Sequence, residues 1–545
     1  MKPNPIEFLR EKKIDKDEAN DGADSAFEKK DADINRNRMS EGDKKQQDEL
    51  KKIKVDDLVA TLVEWSLLSH VDCFPKIFQT KNVIGKILWS IFLFIFSGAT
   101  IWLVTSCIIA YFEYEVVSKI EIVNERPANF PTVTICDNNA LTSVYAQSLI
   151  DSIMNQTYGI DQYFNLSYWN AYNAMYNVTY LTKIYAQVNL TDAEKMQLGL
   201  NLNLNAFSIL QNCKFNQQWC NYNWNTGLWS DFNWYFSFDY GNCFQFNSGK
   251  NVSNDKVSLK QVNREGEDFG LSLWIGPIIY YNTKYPTSDS KGLRVYIHDP
   301  SEAPPFSKGI NVNVGQETNI AVTRSYKKSY PSPYSDCVDL NTFKPTEMYS
   351  FMMNSNPNVS YRQQDCLDLC FQQQVMTNCG CYYPKYLSLN PQTPPCLNLT
   401  QLICIYNQYS LAPKSQANNA CITDQCPLEC DTVEFNFQTS NLDYPNQATY
   451  NQLFSNPNGI AYYEYYYNIT LSTFSSYQEN FLVLNIYYPS TQYNLITESP
   501  KTLPFDLFSG IGGSLGIFIG LSVFHIVELF EALYLIFYVY FIKHR

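Results

Sequence analysis

The sequence has few histidines, fewer basic than acidic side chains and only two long apolar stretches. The shortage of histidines and that of basic side chains each argue against a class of function. Of its four histidines only His298 lies between the two apolar stretches, which excludes a histidine-rich zinc site there and leaves at most one histidine-based catalytic triad. The formal net charge of −13 argues against nucleic acid as a partner. No signal-peptide core lies near Met1. We therefore expect no enzyme, no metal site and no cofactor.

The two apolar stretches predict two membrane-spanning helices. Residues 87–112 carry no charged side chain, and the second stretch, from Leu507, carries none before Glu528. Each reaches about the 20 residues that a bilayer crossing needs. Lysines precede the first stretch and basic residues follow the second, and such residues mark the cytoplasmic side of a membrane. We therefore predict a multi-pass protein of the plasma membrane with both termini in the cytoplasm.

This topology divides the chain into six parts. The charged and polar composition of residues 1–57 predicts a disordered cytoplasmic segment. The other predicted parts are a cytoplasmic segment that contains His70 (58–86), the first span (87–112), an extracellular domain (113–506), the second span (507–542) and a short cytoplasmic end (543–545).

Cysteines and glycosylation sequons are concentrated between the two spans. Fourteen of the 16 cysteines lie there, an even number that predicts up to seven disulfides in an oxidising compartment. All eight Asn-x-Ser/Thr sequons lie there too, which agrees with an extracellular, glycosylated domain. They begin at Asn155, Asn165, Asn177, Asn189, Asn251, Asn358, Asn398 and Asn468.

Alternating β-branched segments predict strands within this domain. The segments FPTVTIC (130–136) and FLVLNIYY (481–488) are typical of strands, and a helix is predicted near residues 361–376. We therefore predict a large disulfide-rich α+β domain between two transmembrane helices, with its first and last strands leading into the two spans.

The second span carries a pattern that a simple anchor does not need. Gly512, Gly516 and Gly520 are four residues apart, which predicts that they share one face of a continuous helix. Small residues at this spacing can serve only to pack helices together, and Glu531 could simply reach the inner interface. Intramembrane carboxylates are nevertheless candidates for a functional site, and Glu528 and Glu531 favour a helix that lines a pore.

Several motifs in the same order resemble those of one channel family. Residues 130–136 resemble that family's FPAVTIC strand, residues 241–247 (GNCFQFN) its GNCYTFN motif, and GIGGSLGIFIGLS followed by VELFE its second span. Residues 292–299 (GLRVYIHD) and the YPSPY run before Cys337 also fit. Over residues 65–543 the chain resembles the epithelial sodium channel, degenerin and acid-sensing channel family.

The resemblance implies an architecture and a function. It implies a trimer of identical or homologous subunits, each with two helices in the lipid bilayer and a hand-like domain of palm, finger, thumb, knuckle and β-ball. It also implies a sodium-selective, amiloride-sensitive pore that is gated from the extracellular domain. The disulfides it implies are Cys136–Cys243, Cys213–Cys220, Cys337–Cys430, Cys366–Cys426, Cys370–Cys421, Cys379–Cys404 and Cys381–Cys396.

The resemblance also assigns roles to individual residues. The selectivity filter is Gly520-Leu521-Ser522, where carbonyl and hydroxyl oxygens replace water around Na⁺. The other roles are blocker binding at Gly516, the gate or degenerin position at Ser509, inner-pore carboxylates at Glu528 and Glu531, coupling at the wrist between Tyr114 and Tyr334, and gating before the first span at His70.

Some positions depart from the family pattern. Val71 replaces the glycine that follows the histidine, Tyr334 replaces a tryptophan, and Gly510 replaces an acidic residue. Negative charge at the outer mouth must then come from Asp506 and Glu498. No histidine follows the first span, so acid sensing would need crowded carboxylates, with candidates at Asp151, Asp161, Glu194, Asp339 and Glu347.

Other functions and stimuli remain open at the level of sequence. An ATP-gated trimeric channel would need phosphate-binding lysines and a different cysteine pattern. A two-anchor glycosylated receptor without a pore would need no Gly-x-Ser filter, and an ectoenzyme would have to rely on His298. The gating stimulus could be a proton, a peptide or mechanical force, or the pore could open constitutively.

Overall fold

The structure, a computed structural model, describes residues 79–159, 167–199, 210–223, 228–278, 287–339, 360–411, 425–453 and 473–538, with isolated residues elsewhere. It contains two compact units, residues 1–113 with 502–545 and residues 114–501. We name the first the helical unit and the second the disulfide-rich domain. His70 and the predicted segments 1–57 and 543–545 lie outside the described residues.

The described helices and strands alternate irregularly along the chain. The helices are α1 (Val83–Phe112), α2 (Val144–Tyr158), α3 (Tyr168–Asn189), α4 (Asp192–Met196), α5 (Gln363–Cys379), α6 (Leu399–Leu411), α7 (Gln447–Leu453), α8 (Phe474–Gln478), α9 (Pro504–Ile519) and α10 (Val523–Phe537). The strands are β1 (Val116–Asn124), β2 (Ala128–Asn129), β3 (Thr132–Asp137), β4 (Leu210–Phe215), β5 (Gln218–Trp219), β6 (Tyr222–Asn223), β7 (Leu228–Trp229), β8 (Phe232–Ser237), β9 (Gly241–Phe246), β10 (Gln261–Val262), β11 (Leu271–Ile275), β12 (Leu293–His298), β13 (Ile310–Val312), β14 (Gln316–Lys328), β15 (Cys337–Val338), β16 (Leu428–Glu429), β17 (Asp431–Asp443), β18 (Leu482–Tyr487) and β19 (Gln492–Pro500).

The described residues of the helical unit form one long helix and two shorter ones. Helix α1 has 30 residues, which gives about 45 Å at 1.5 Å per residue. Among the described residues it is the one helix long and apolar enough to cross a membrane. The predicted second span instead forms α9 and α10, because Gly520 adopts the left-handed conformation (φ 71°, ψ 17°) that ends α9. The prediction of one continuous helical face through Gly520 is therefore wrong.

Two sheets enclose the main core of the disulfide-rich domain. The larger has the strand order β1-β19-β14-β18-β11-β4-β5, with β17 beside β14, and the smaller has the order β13-β12-β3-β9-β8. Strand β14 pairs in parallel with β18 and β19, whereas the other pairs in both sheets are antiparallel. Buried apolar residues of both sheets, such as Leu273, Leu484 and Phe244, form the core between them. The predicted strand segments supply much of this core.

Helices form a second core beside the sheets. Ile150 of α2, Ile184 of α3, Val375 of α5 and Leu402 of α6 lie in one buried cluster. Seven disulfides fasten the domain, and they join the pairs that the family resemblance implies. Five of these lie between Cys337 and Cys430 and hold α5 and α6. A mixed helix–strand domain rich in disulfides is therefore confirmed.

The strands at the two ends of this domain lie side by side. β1 pairs antiparallel with β19 from Val116↔Pro500 to Asn124↔Gln492. The chain enters β1 directly after α1 and leaves β19 directly before α9. The strands next to the two apolar segments are thus β1 and β19, whereas the predicted first and last strands, at 130–136 and 481–488, correspond to β3 and β18 and lie further inside the domain.

Candidate pore segment

Helix α9 begins at a local sequence signal. Pro504 occupies its first turn, and the Asp506 carboxylate accepts a hydrogen bond of 3.0 Å from the Leu503 N–H. Proline and an acidic side chain both favour the start of a helix, because the first N–H groups have no helical acceptor and carry partial positive charge. The helix therefore begins three residues before the predicted span at Leu507.

The helix ends at the predicted filter. The Gly520 N–H donates to the Gly516 carbonyl and the Leu521 N–H donates to the Leu515 carbonyl, both at 3.1 Å. A glycine ends a helix in this way at little cost because it lacks the Cβ that disfavours the left-handed region. Gly520-Leu521-Ser522 is thus an irregular link between α9 and α10.

This termination places carbonyl oxygens at the end of α9. The last four carbonyl groups of an α-helix have no partner inside the helix, and here the Gly516 carbonyl accepts from Gly520. The carbonyl groups that follow belong to residues 517–519, immediately before the predicted filter. In a bilayer such groups need protein, water or an ion as a partner.

The glycines of α9 fall into two groups. A Cβ added at Gly510 would lie 3.1 Å from the Cys107 Sγ, so this glycine allows close contact with α1. A Cβ at Gly512 or Gly513 would meet no described atom within 4 Å, and one at Gly516 would meet only the Leu521 carbonyl at 4.0 Å. Close packing between α9 and α1 of the same chain therefore favours glycine at position 510 but places no such demand on the other three glycines.

The serines of the segment differ in exposure. Ser514 donates a hydrogen bond of 2.7 Å to the Gly510 carbonyl, so its hydroxyl is satisfied by its own helix. Ser509 and Ser522 are exposed in the single chain. In α10, Glu531 is exposed and Glu528 is half-buried.

The two predicted wrist tyrosines contact each other. Their rings lie 5.3 Å apart at 82°, and Tyr330 adds a second edge contact to Tyr334 at 5.0 Å. Beside them the Lys501 N–H donates to the Glu115 carbonyl at 2.9 Å. The hydrogen bond joins the ends of β1 and β19, and the aromatic contacts join the residues before β1 to the loop after β14.

The two predicted outer-mouth carboxylates have other partners. Asp506 caps α9, as described above, and Glu498 lies 3.5 Å from the Lys327 ammonium and accepts from the Tyr330 N–H at 3.2 Å. Sequence reasoning could not detect these partners, because Lys327 is more than 150 positions away from Glu498.

Among the described residues, the carboxylates with raised pKa values are Glu267, Glu302 and Asp368, and none of them is a predicted acid sensor. Hydrogen bonds from Thr191 lower the pKa of Glu194, which caps α4, and Asp161 and Glu347 lie outside the described residues. Burial instead raises the pKa of Glu302 to about 7 and that of Asp368 to about 6. The groups that bury and surround these carboxylates come largely from distant segments, so the local sequence did not reveal the raised pKa values.

Sequence reasoning also missed a buried arginine in the central strand. Arg324 of β14 is 2% exposed and forms an ion pair with Glu125. Its guanidinium lies 4.7 Å from the ring centre of Tyr488 and 5.4 Å from that of Tyr493. The sequence signal that could have revealed this buried arginine is a basic residue inside an alternating β-branched run. The contacts join β14 to the segments around β18 and β19.

The described sequons differ in accessibility. Asn155, Asn189 and Asn398 are exposed, whereas Asn177 and Asn251 are half-buried. Asn251 is engaged through its side chain with Ser253 and Asp255. Asn165, Asn358 and Asn468 lie outside the described residues.

Comparison with known proteins identifies one family across most of the chain. The amiloride-sensitive sodium channel family matches residues 68–532. The chain is 27% identical over 342 residues to the epithelial sodium channel subunit beta of Neoceratodus forsteri, covering 62% of this chain and 48% of that protein. It is 25% identical over 505 residues to the degenerin-like protein asic-2 of Caenorhabditis elegans, covering 86% and 84%. The matches thus span about half the length of the sodium channel subunits and most of the degenerin-like protein.

Proposed function

The chain belongs to the amiloride-sensitive sodium channel family, and we propose that it is a subunit of a trimeric, sodium-selective, amiloride-sensitive cation channel of the plasma membrane. The observation that carries the proposal is the helix break at Gly520-Leu521-Ser522. It lies within an apolar segment that is otherwise helical from Pro504 to Phe537. Irregular backbone at such a position is tolerated where it lines an aqueous cavity.

The oxygens of this break are suited to a dehydrated cation. Carbonyl and hydroxyl oxygens replace the hydration shell of an ion in a selectivity filter. One chain supplies only one side of such a site, so three copies around an axis would complete it. The relatives include beta and gamma subunits of epithelial sodium channels, which supports assembly from identical or homologous subunits.

The glycine face supports the same assembly. A Cβ at Gly512 or Gly513 would meet no described atom of the same chain within 4 Å, and one at Gly516 would meet only the Leu521 carbonyl at 4.0 Å. Glycine lets backbones approach closely, so we propose that this face meets the pore axis and the other copies. Gly516 would leave room for the blocker, and Ser509, seven residues earlier, would lie at the gate. Glu528 and Glu531 would line the inner pore, and His70 would contribute to gating.

In this proposal the pore is gated from the extracellular domain, because the chain runs from that domain directly into the two apolar segments. Residues 114–501 would lie outside the cell and both termini in the cytoplasm. The paired strands β1 and β19 and the contact between Tyr114 and Tyr334 would carry a change in the domain to α1 and α9. Family membership disfavours a pore-free receptor, an ATP-gated channel and an ectoenzyme.

The filter is tested by reversal potentials in exchanged Na⁺ and K⁺ solutions. We expect wild type to prefer Na⁺, and Ser522→Ala to let K⁺ compete because one ring of hydroxyl oxygens is lost. Ser514→Ala is the matched control, since its hydroxyl is bonded to its own helix and its loss should leave the preference unchanged.

Amiloride applied from outside gives a second measurement on the same channels. It should block wild type, and a larger side chain at Gly516 should weaken the block. A wild type without Na⁺ preference, together with an unchanged Ser522→Ala variant, would show that the filter assignment is wrong.

A further inference from the structure

Helices α3 and α6 of the disulfide-rich domain together expose a largely aromatic surface. Tyr172 and Tyr176 of α3 are 51% and 46% exposed, and Ile403 and Tyr406 of α6 are 50% and 37% exposed. The ring centres of Tyr176 and Tyr406 lie 6.1 Å apart, so the exposed side chains of the two helices adjoin. We name these four side chains the aromatic face. Adjoining apolar side chains that stay exposed on a folded domain mark an interaction site.

The second core of the domain does not use the aromatic face. Residues three or four positions apart lie on one side of a helix, and the exposed pairs of α3 and α6 have these spacings. The helices bury other side chains in that core, among them Val178 and Ile184 of α3 and Leu402 and Ile405 of α6. The aromatic face is therefore an additional apolar surface that the packing of its own helices leaves open to a further partner.

The two helices that form the aromatic face carry almost no charge. Lys183 is the single charged residue in α3, and the sequence of α6 contains none. The Lys183 ammonium donates to the Asp239 carbonyl at 2.8 Å. A charged partner would lose hydration at such a surface and gain no opposite charge. The exposed polar side chains of the two helices are amides and hydroxyls, such as Asn173, Asn407 and Ser410.

A glycosylation sequon lies at the start of α6. Asn398 and Thr400, its first and last residues, are both exposed. The Asn398 side-chain oxygen accepts a hydrogen bond of 2.9 Å from the Gln401 N–H and so caps the helix. A glycan is attached through the amide nitrogen, so the cap and a glycan are compatible. Ile403 and Tyr406 follow at about 8 Å and about 12 Å along the helix axis, at 1.5 Å per residue.

A sugar chain has the chemistry that this surface fits. The C–H groups of a sugar ring pack against the negatively polarised face of an aromatic ring, and its hydroxyls exchange hydrogen bonds with amides and hydroxyls. We propose that an N-linked glycan at Asn398 packs on the aromatic face of its own chain and covers Tyr176, Ile403 and Tyr406.

The attachment rests on the extracellular position of residues 114–501 in the proposed function. The glycan arrives on a lipid pyrophosphate carrier. The Asn398 amide nitrogen forms a bond with the first sugar and loses one proton, and the bond between that sugar and the pyrophosphate breaks. The lipid pyrophosphate leaves with the bonding electron pair.

The sequon can be removed without loss of the helix cap. Thr400→Ala abolishes the Asn-x-Thr triplet but keeps Asn398 and its bond to Gln401, whereas Thr400→Ser keeps the triplet and is the matched control. Peptide mass spectrometry of the purified full-length chain measures the occupancy of Asn398. We expect a glycan in wild type and in Thr400→Ser and none in Thr400→Ala.

Hydroxyl-radical labelling of the same folded proteins measures how far the aromatic face is covered. Labelling of Tyr176 and Tyr406 should rise by about twofold or more in Thr400→Ala, because a stacked sugar covers one of the two faces of a ring. Enzymatic release of glycans from folded wild type should give the same rise, which tests the proposal even if the variant does not fold. Asn189→Gln should leave both tyrosines unchanged, because this sequon lies about 20 Å along α3 from Tyr176.

The outcomes separate this proposal from the proposed function. Glycans at other sequons without one at Asn398 would overturn the proposal but leave the extracellular position of the domain intact. A chain without any glycan would contradict both. Equal labelling of the two tyrosines in wild type and Thr400→Ala would also overturn the proposal. Strong labelling in both would show an open face, and weak labelling in both would show that another occupant, such as a neighbouring copy, covers it.

Discussion

At the scale of single residues, burial decides which sequons can carry a glycan. The Asn177 side-chain amide lies 3.4 Å from the Tyr158 hydroxyl, and Val178 and Thr179 of the same sequon are buried. A glycan on this amide nitrogen would have to displace the contact between α2 and α3. We therefore predict that Asn177 is not glycosylated, whereas Asn155 is.

Mass before and after enzymatic removal of N-glycans checks this prediction. Asn177→Gln should leave the number of glycans unchanged, and the matched variant Asn155→Gln should remove one. A glycan mapped to Asn177 in the folded protein would contradict the buried position of this sequon.

A second residue-scale prediction concerns the half-buried Glu302. Burial is the main cause that raises its pKa to about 7 from an ordinary value of 4.5. The folded state therefore binds this proton more tightly than the unfolded state. The stability it contributes is complete below about pH 4.5 and is lost as pH rises through about 7. Glu302→Gln keeps a neutral side chain at every pH.

The melting temperature of purified chain checks this expectation. The melting temperature of Glu302→Gln relative to wild type should be higher at about pH 8 than at about pH 5. His298, whose pKa burial lowers to about 4, is present in both proteins and cancels in the difference. Glu434→Gln, at an exposed carboxylate with side-chain exposure of 60%, should show no such trend. A pH-independent difference for Glu302→Gln would disprove the assignment.

At the scale of elements, the separation of α9 from α10 depends on one glycine. The left-handed conformation of Gly520 costs roughly 1–2 kcal/mol for any residue with a Cβ. Alanine at this position should therefore favour a continuous helix and remove the irregular link. We expect Gly520→Ala to lose selective current at normal surface expression.

Current density and the Na⁺/K⁺ permeability ratio measure this effect. Gly98→Ala is the control, because a Cβ at Gly98 in α1 would meet no described atom within 4 Å. Wild-type current and selectivity in Gly520→Ala would show that the helix break is not required.

At the scale of the whole molecule, the disulfides predict that the disulfide-rich domain lies in an oxidising compartment. Fourteen cysteines form seven disulfides, and among the described cysteines only Cys107 of α1 is free. Such a set persists in oxidising compartments. We therefore expect the denatured, non-reduced protein to expose thiols only at Cys107 and Cys73.

Maleimide labelling followed by peptide mass spectrometry locates the free thiols. After reduction all 16 cysteines should react, which shows that each of them can be labelled. Stoichiometric labelling of any of the other fourteen without reduction would be incompatible with seven disulfides and with an extracellular domain.

Local sequence patterns determined the features that depend on neighbouring residues. The apolar run of α1, the strands at 130–136 and 481–488 and the even number of cysteines were readable because periodicity and composition are local properties. The family resemblance supplied the cysteine pairs and the position of the candidate filter, which spacing alone could not provide. The contact between Tyr114 and Tyr334 also followed from that resemblance.

Only the tertiary structure decided the features that depend on distant residues. The α9–α10 break replaced a predicted continuous face, because a spacing of four residues does not reveal that Gly520 is left-handed. The ion pair of Glu498 with Lys327 and the contacts of the buried Arg324 join segments far apart in the chain. Burial and crowding of charge arise when such segments pack together, and for this reason the raised pKa values of Glu302 and Asp368 had no local signal.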